Sequence, residues 1–188
     1  MNLPNALTIL RLFLVPVFII TYMSGGDLTV RVVAALVFIL ASATDVLDGY
    51  IARKYNKITD FGKLADPVAD KLMQLSAIGC LAFNNRISMW ILAIFAFKEA
   101  VLILGGLNLL KEKFVVQSKW SGKIATVILF ACVVVIMITD NATISKSTAT
   151  LIMTISLGFT AIAFFDYIGM YIRVRDNMQK TRQNKEKK

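Results

Sequence analysis

Six long runs of apolar residues, parted by short polar or glycine-bearing breaks, dominate the chain. They extend from about Leu7 to Met23, Thr29 to Ala52, Lys63 to Phe83, Met89 to Leu110, Trp120 to Thr139 and Ser147 to Ile172. A hydrocarbon core about 30 Å thick is crossed by roughly 20 helical residues, so each run predicts a transmembrane helix. Pro16 falls inside the first, as a kink that neighbouring helices can accommodate. Ser24-Gly25-Gly26-Asp27 reads as a turn. No repeat or low-complexity block interrupts the pattern. The expected fold is therefore an all-α integral membrane protein. Its six transmembrane helices form one bundle over residues 1–175, with a short N-terminal interfacial segment and a basic tail, 176–188.

Composition supports this. The 188 residues are 57% hydrophobic, above the roughly 45–50% of a soluble domain, and the mean hydropathy is +0.67. The first run lacks the basic flank and small-residue cleavage pattern of a signal peptide, so it is expected to stay in the mature protein. Cys80 and Cys132 lie inside apolar runs and read as packing residues, with no zinc or disulfide spacing. With no histidine in the chain, proton transfer near neutral pH falls to Asp, Glu, Lys or Tyr.

The net charge of +9 is distributed unevenly. One set of loops and the tail hold Arg53, Lys54, Lys57, Lys63, Lys111, Lys113, Lys119, Lys123, Arg173, Arg175, Lys180, Arg182, Lys185, Lys187 and Lys188; the other side holds Arg31, Arg86 and Lys146. Basic residues mark the cytoplasmic side. Both termini are thus expected there, in a multi-pass protein of the cell membrane, taken as a bacterial inner membrane. The charge adjoins the spans instead of forming a separate basic domain, so anionic lipid headgroups are the expected partner and nucleic acid is not.

Four aspartates at the junction of the second and third runs carry the chemistry. The chain reads Thr44-Asp45-Val46-Leu47-Asp48-Gly49-Tyr50-Ile51-Ala52-Arg53, then eight residues, then Gly62-Lys63-Leu64-Ala65-Asp66-Pro67-Val68-Ala69-Asp70-Lys71. Helical spacing puts Asp45 and Asp48 on one face, and Asp66 and Asp70 on one face of the next helix. A short connection makes the two helices antiparallel neighbours, so the four carboxylates can converge. Each ionised group at membrane depth costs about 2.5–3.5 kcal/mol, so convergence needs a positive partner. Lys71 and Arg53 supply part of it. An all-oxygen set without His or Cys suits a hard divalent cation, read here as one or two Mg2+ or Mn2+ ions. Gly49, Ala52 and Gly62 leave room for a ligand or for close helix contact. The plainer alternative is helix-end carboxylates that are solvated or paired with nearby Lys and Arg.

This string resembles the signature of the CDP-alcohol phosphotransferase family, Asp-x-x-Asp-Gly-x-x-Ala-Arg, a spacer, then Gly-x-x-x-Asp-x-x-x-Asp. Asp45, Asp48, Gly49, Ala52, Arg53, Gly62, Asp66 and Asp70 match every fixed position. The resemblance implies that Asp45, Asp48, Asp66 and Asp70 surround the metal, and that Asp48, Gly49, Ala52, Arg53 and Gly62 line the site of a CDP-linked lipid. It implies too that Asp70 is the general base for the acceptor hydroxyl, and that the protein is a homodimer.

The opening Asn2-Leu3-Pro4-Asn5-Ala6-Leu7-Thr8-Ile9-Leu10-Arg11 resembles the phosphatidylglycerol-phosphate synthases of that family, and its cardiolipin synthases. Asn5 and Thr8 are then candidates for donor binding; a plain helix start with a snorkelling Arg11 is the alternative. Lys98-Glu99 stands where synthases using glycerol 3-phosphate show Arg-Glu. Gly122-Lys123-Ile124-Ala125-Thr126 resembles their Gly-Lys-x-Lys-Thr with Ala125 in place of the second lysine. Lys98, Lys119 and Lys123 are therefore the expected holders of the acceptor's phosphate. For Lys98 the structural alternative is an intramembrane ion pair with Glu99 or an aspartate, and for Lys119 and Lys123 it is a solvated loop and helix start. The implied reaction passes a phosphatidyl group from CDP-diacylglycerol to glycerol 3-phosphate, releasing CMP. Phosphatidylglycerol is the alternative acceptor, and a divalent cation transporter the alternative from another class.

Overall fold

The computed structural model describes the backbone of residues 3–54, 60–111 and 120–186, and side chains chiefly over 6–44, 68–104 and 122–162. Six helices make up this part and no strand occurs among the described residues: α1 Leu3–Met23, α2 Leu28–Lys54, α3 Asp60–Phe83, α4 Met89–Lys111, α5 Trp120–Ile138 and α6 Lys146–Glu186. Every apolar run expected to be helical is helical.

Two limits differ from the apolar pattern. Helix α1 runs unbroken from Leu3, so the separate N-terminal interfacial segment is instead the first turns of α1. Pro4 fits there because a first-turn residue has no intrahelical N–H bond to lose. Helix α6 continues to Glu186, well past the last apolar residue and into the stretch expected to be a tail. Apolarity ends near Ile172, yet Lys, Arg, Gln, Met and Glu are all good helix formers and sustain the helix without it.

Helix α3 is the hub, packing against α1, α2, α4 and α5, while α1 lies along α2 and α5 along α6. Aromatic contacts tie three of these together. Phe18 of α1 lies 5.9 Å from Phe38 of α2, which stacks on Phe130 of α5 at 5.0 Å. Phe38 is almost fully buried, so truncation to Ala would cost about 3–5 kcal/mol through the cavity left behind.

Three turns close one end. After α3 the chain reverses at Asn85, whose φ is 58°. Arg86 N–H donates to Leu81 O at 2.8 Å and Asn85 N–H to Ala82 O at 3.1 Å. This is the Schellman pattern, with Asn taking the left-handed position usually given to Gly. Between α5 and α6, the Thr143 N–H donates to Asp140 Oδ1 at 2.7 Å. The Ser145 hydroxyl caps α6 by accepting from Thr148 N–H at 3.3 Å.

The outside of the bundle is apolar. Phe13, Ile20, Phe83, Phe97, Val127 and Phe165, on five helices, each expose about two thirds or more of their surface. Ala6–Met23 is long and apolar enough to cross a membrane, with a mean hydropathy of 2.1 and only 22% of it buried. Shorter apolar stretches occupy Leu28–Thr44, Gly122–Ile138 and Lys146–Ile162.

Candidate active site

The backbone sets the depth of the aspartates. Asp48 stands six residues before the end of α2, and Asp66 six residues after the start of α3; Asp45 and Asp70 stand nine and ten residues from the same ends. At a rise of about 1.5 Å per residue, one pair of positions lies ~9 Å and the other ~14 Å into the helices. Because α2 and α3 are packed neighbours joined by residues 55–59, the two pairs of positions are counted from linked helix ends at similar depths. Gly49, Ala52 and Arg53 follow on α2, and Gly62 precedes them on α3. The side chains of Asp45, Asp48, Ala52, Arg53 and Asp66 lie outside the described ones.

Asp70 is described in full. Its carboxylate is half-buried, and Gln74, one turn on, donates Nε2 to Oδ1 and Oδ2, each at 3.0 Å. Lys71 Nζ is 3.6 Å from Oδ2. Asp70 and Gln74 form the polar end of an otherwise apolar cavity of about 320 Å3 between α2, α3 and α5, lined also by Phe38, Ser42, Thr126 and Phe130. Apolar matter can therefore lie directly beside this carboxylate.

Behind Asp70 runs a chain of charges. Glu99 of α4 is only 4% exposed; its Oε2 meets Lys71 at 3.3 Å and its Oε1 meets Lys98 at 2.6 Å. Lys98 Nζ also lies 5.0 Å from the Phe95 ring centre. Lys98, a candidate for the acceptor's phosphate, is thus held in the ion pair that was its alternative reading. Lys123 is exposed near the start of α5, and Lys119 lies outside the described residues. Asn5 is placed on α1 by its backbone alone, whereas Thr8 and Arg11 are buried. Arg11 does not snorkel: its Nε donates to Ala41 O at 3.3 Å, which ties α1 to α2 one turn before Asp45.

Gln74, and the pairing of Glu99 with Lys71, were not anticipated. Gln74 had a signal, since the i,i+4 spacing from Asp70 puts both on one helix face. The Glu99–Lys71 pair had none, because it depends on how α3 and α4 are rotated, whereas the Glu99–Lys98 pair was already the alternative reading of Lys98.

A divalent cation suits this donor set. Asp70 keeps a partly open carboxylate whose described partners are one neutral amide and one distant ammonium. Oxygen donors of this kind suit a hard cation, and Asp45, Asp48 and Asp66 stand on the same two helices by their backbone positions. No three ligating side chains cluster among the described residues, as expected where three of the four aspartate side chains fall outside them.

Comparison with known proteins bears on the same residues. A protein from Rickettsia bellii named CDP-diacylglycerol--glycerol-3-phosphate 3-phosphatidyltransferase is 54% identical over 80 residues, covering 43% of this chain and 41% of that protein. The match to this relative therefore spans well under half its length. A Bacillus subtilis protein of the same name is 36% identical over 136 residues, covering 66% of this chain and 70% of its own. A probable phosphatidylglycerophosphate synthase from Mycobacterium tuberculosis is 30% identical over 174 residues, 92% of this chain and 82% of that one. The family pattern described as CDP-alcohol phosphatidyltransferase matches residues 1–162, which include all eight motif positions on α2 and α3, and the chain belongs to that family.

Proposed function

We propose that this protein is a membrane-embedded phosphatidyltransferase that moves the phosphatidyl group of CDP-diacylglycerol to the 1-hydroxyl of glycerol 3-phosphate, yielding phosphatidylglycerol phosphate and CMP. The reading is carried by the matched depth of the two aspartate pairs on α2 and α3, within a sequence whose relatives bear that activity in their names.

Asp45, Asp48, Asp66 and Asp70 would hold one or two Mg2+ or Mn2+ ions, which supply charge neutralisation at the diphosphate. Gly49, Ala52, Arg53 and Gly62 line the path of the CDP moiety, with Asn5 and Thr8 on α1 behind it. The apolar cavity beside Asp70 receives hydrocarbon of the donor. Asp70 accepts the proton of the acceptor hydroxyl as its oxygen attacks the β-phosphorus; the bond from that phosphorus to the CMP oxygen breaks, and CMP leaves. The Gln74 amide keeps the Asp70 carboxylate oriented. Lys98, Lys119 and Lys123 attract the acceptor's phosphate, with Lys98 anchored by Glu99.

The apolar exterior supports a membrane location, since a water-exposed surface rarely carries so many large apolar side chains together. The excess of Lys and Arg at the aspartate end supports a cytoplasmic site and cytoplasmic termini. A homodimer is part of the same reading, to be checked by light scattering in detergent.

The purified protein is to be given labelled CDP-diacylglycerol with glycerol 3-phosphate, phosphatidylglycerol or serine, with and without a chelator. Phosphatidylglycerol phosphate and CMP are expected from the first acceptor alone. Chelation should abolish the reaction, and Mg2+ or Mn2+ should restore it. Cardiolipin as product would identify phosphatidylglycerol as the acceptor. Release of no CMP with any acceptor would refute the enzyme reading.

A further inference from the structure

The end of the bundle opposite the aspartates holds a second cavity, of about 390 Å3, where the α1–α2, α3–α4 and α5–α6 turns meet. That volume is in the ~300–1,000 Å3 range of ligand pockets. Its polar lining comes from Arg31, Arg86, Asn84 and Asn141, beside Tyr22 and Met23, with Gly25 and Gly26 just before α2.

Two guanidinium groups converge here. Arg31 Nη1 donates to Thr139 O at 2.8 Å and Arg86 Nη2 donates to the same oxygen at 3.0 Å, so these two nitrogens lie within about 6 Å of each other. Neither arginine has a carboxylate within ion-pair distance among the described residues. Asp140, the acidic residue of the lining, bonds Thr143 of its own turn and feels Arg31 only more weakly, beyond ion-pair distance. Arg86 is 94% buried by its 6% exposure, and the Nε of both arginines is buried without a hydrogen-bond acceptor. Adjacent like charges with unspent donors are unfavourable unless an anion joins them. Capping the end of α5 engages both Nη groups of Arg86, whereas Arg31 spends one Nη1 bond on the same carbonyl and lines the cavity with the rest of its fork.

The cavity is also open to a ligand. A Cβ added at Gly26 would meet nothing within 4 Å, and the first turn of α2, beginning at Leu28, brings the positive end of its dipole to the same side.

We propose that this cavity is an anion site for a phosphate group, held in the fork of Arg31 beside Arg86 and distinct from the aspartate site. Guanidinium geometry matches tetrahedral oxyanions. A phosphate of this kind reaches the site either free in solution or as a lipid headgroup from the leaflet at that end.

The test uses the full chain in a nonionic detergent with chelator present, so that no metal brings phosphate to the aspartates. The thermal unfolding midpoint is followed at fixed ionic strength against inorganic phosphate and, separately, against phosphatidic acid with diacylglycerol as its neutral match. A saturable rise with inorganic phosphate identifies a site for the free ion; a rise with phosphatidic acid alone identifies the lipid headgroup. In either case Arg31→Gln should weaken the response roughly tenfold or more. Gly26→Asp, which puts a carboxylate into the open mouth, should abolish it and serves if Arg31→Gln cannot be purified. A wild-type protein that responds to neither probe, or variants that respond as the wild type does, would overturn the proposal. The outcome is independent of turnover at the aspartates.

Discussion

Replacing Glu99 with Gln removes the carboxylate that joins α3 to α4 while keeping its shape. Two lysines lose their partner, but unequally. Lys71 retains Asp70 at 3.6 Å. Lys98, 2.6 Å from Glu99 and with 13% of its side chain exposed, retains only the Phe95 ring at 5.0 Å. Breaking a buried pair from one side costs about 3–5 kcal/mol, because a charge is left unpaired; the Phe95 contact is present before and after the change and offsets none of it. The Lys71–Asp70 pair limits the damage to one lysine, so the expected loss is about 3 kcal/mol. Lys98→Met should cost less, ~1–2 kcal/mol, since Glu99 keeps Lys71. The double variant has no stranded ammonium and should be more stable than Glu99→Gln alone, giving a coupling of at least about 1–2 kcal/mol. Reversible unfolding in mixed detergent, read by circular dichroism, measures all four proteins. Strict additivity would refute the reasoning, because it would mean that Lys98 does not depend on Glu99 for its charge balance.

Asp70→Asn preserves an oxygen for the Gln74 amide, so stability should change by less than about 1 kcal/mol. Turnover should fall roughly 10²–10⁴-fold through loss of the base, while CDP-diacylglycerol binding, measured by calorimetry, survives. Thr126→Trp narrows the cavity beside Asp70 from an exposed position on α5; KM for CDP-diacylglycerol should rise several-fold and KM for the acceptor should not. The Thr143 hydroxyl and N–H hold the Asp140 carboxyl below the usual carboxylate range. A depressed pKa means that this brace is complete above the ordinary value of about 3.9 and is lost as pH falls through the lower, folded-state value. Exchange protection at Thr143 should drop in that window in the wild type and stay level in Asp140→Asn.

Much of the fold was legible because apolar length reports helices directly, from Leu7–Met23 through Ser147–Ile172. Ends were less legible where polarity and helicity part company, as in α6 beyond Ile172. The aspartate motif could be read from spacing because both members of each pair share a helix, and only the pairing of α2 with α3 had to be supplied by the short link. Contacts between helices distant in sequence left no such trace. Arg86 counted merely as one loop charge against fifteen, yet it is buried across the end of α5. Arg11 looked like a residue that reaches for the interface, but the packing of α1 on α2 turns it toward Ala41. Both outcomes depend on the rotation of each helix about its axis, which an almost uniformly apolar sequence barely encodes.

Arg86 has a mechanical consequence. Its guanidinium donates to Ile136 O, Thr139 O, Ile144 O and the Asn141 side chain, so the α3–α4 turn is riveted to the end of α5. Any separation of α3 from α5 must pivot about that rivet. Ile78 and Asp70 lie five and thirteen residues back along α3 from Phe83, its last residue before the rivet, giving lever arms of about 8 and 20 Å. The same small tilt therefore parts the walls more than twice as far beside Asp70 as beside Ile78, and the cleft between them gapes at one mouth while its floor stays shut.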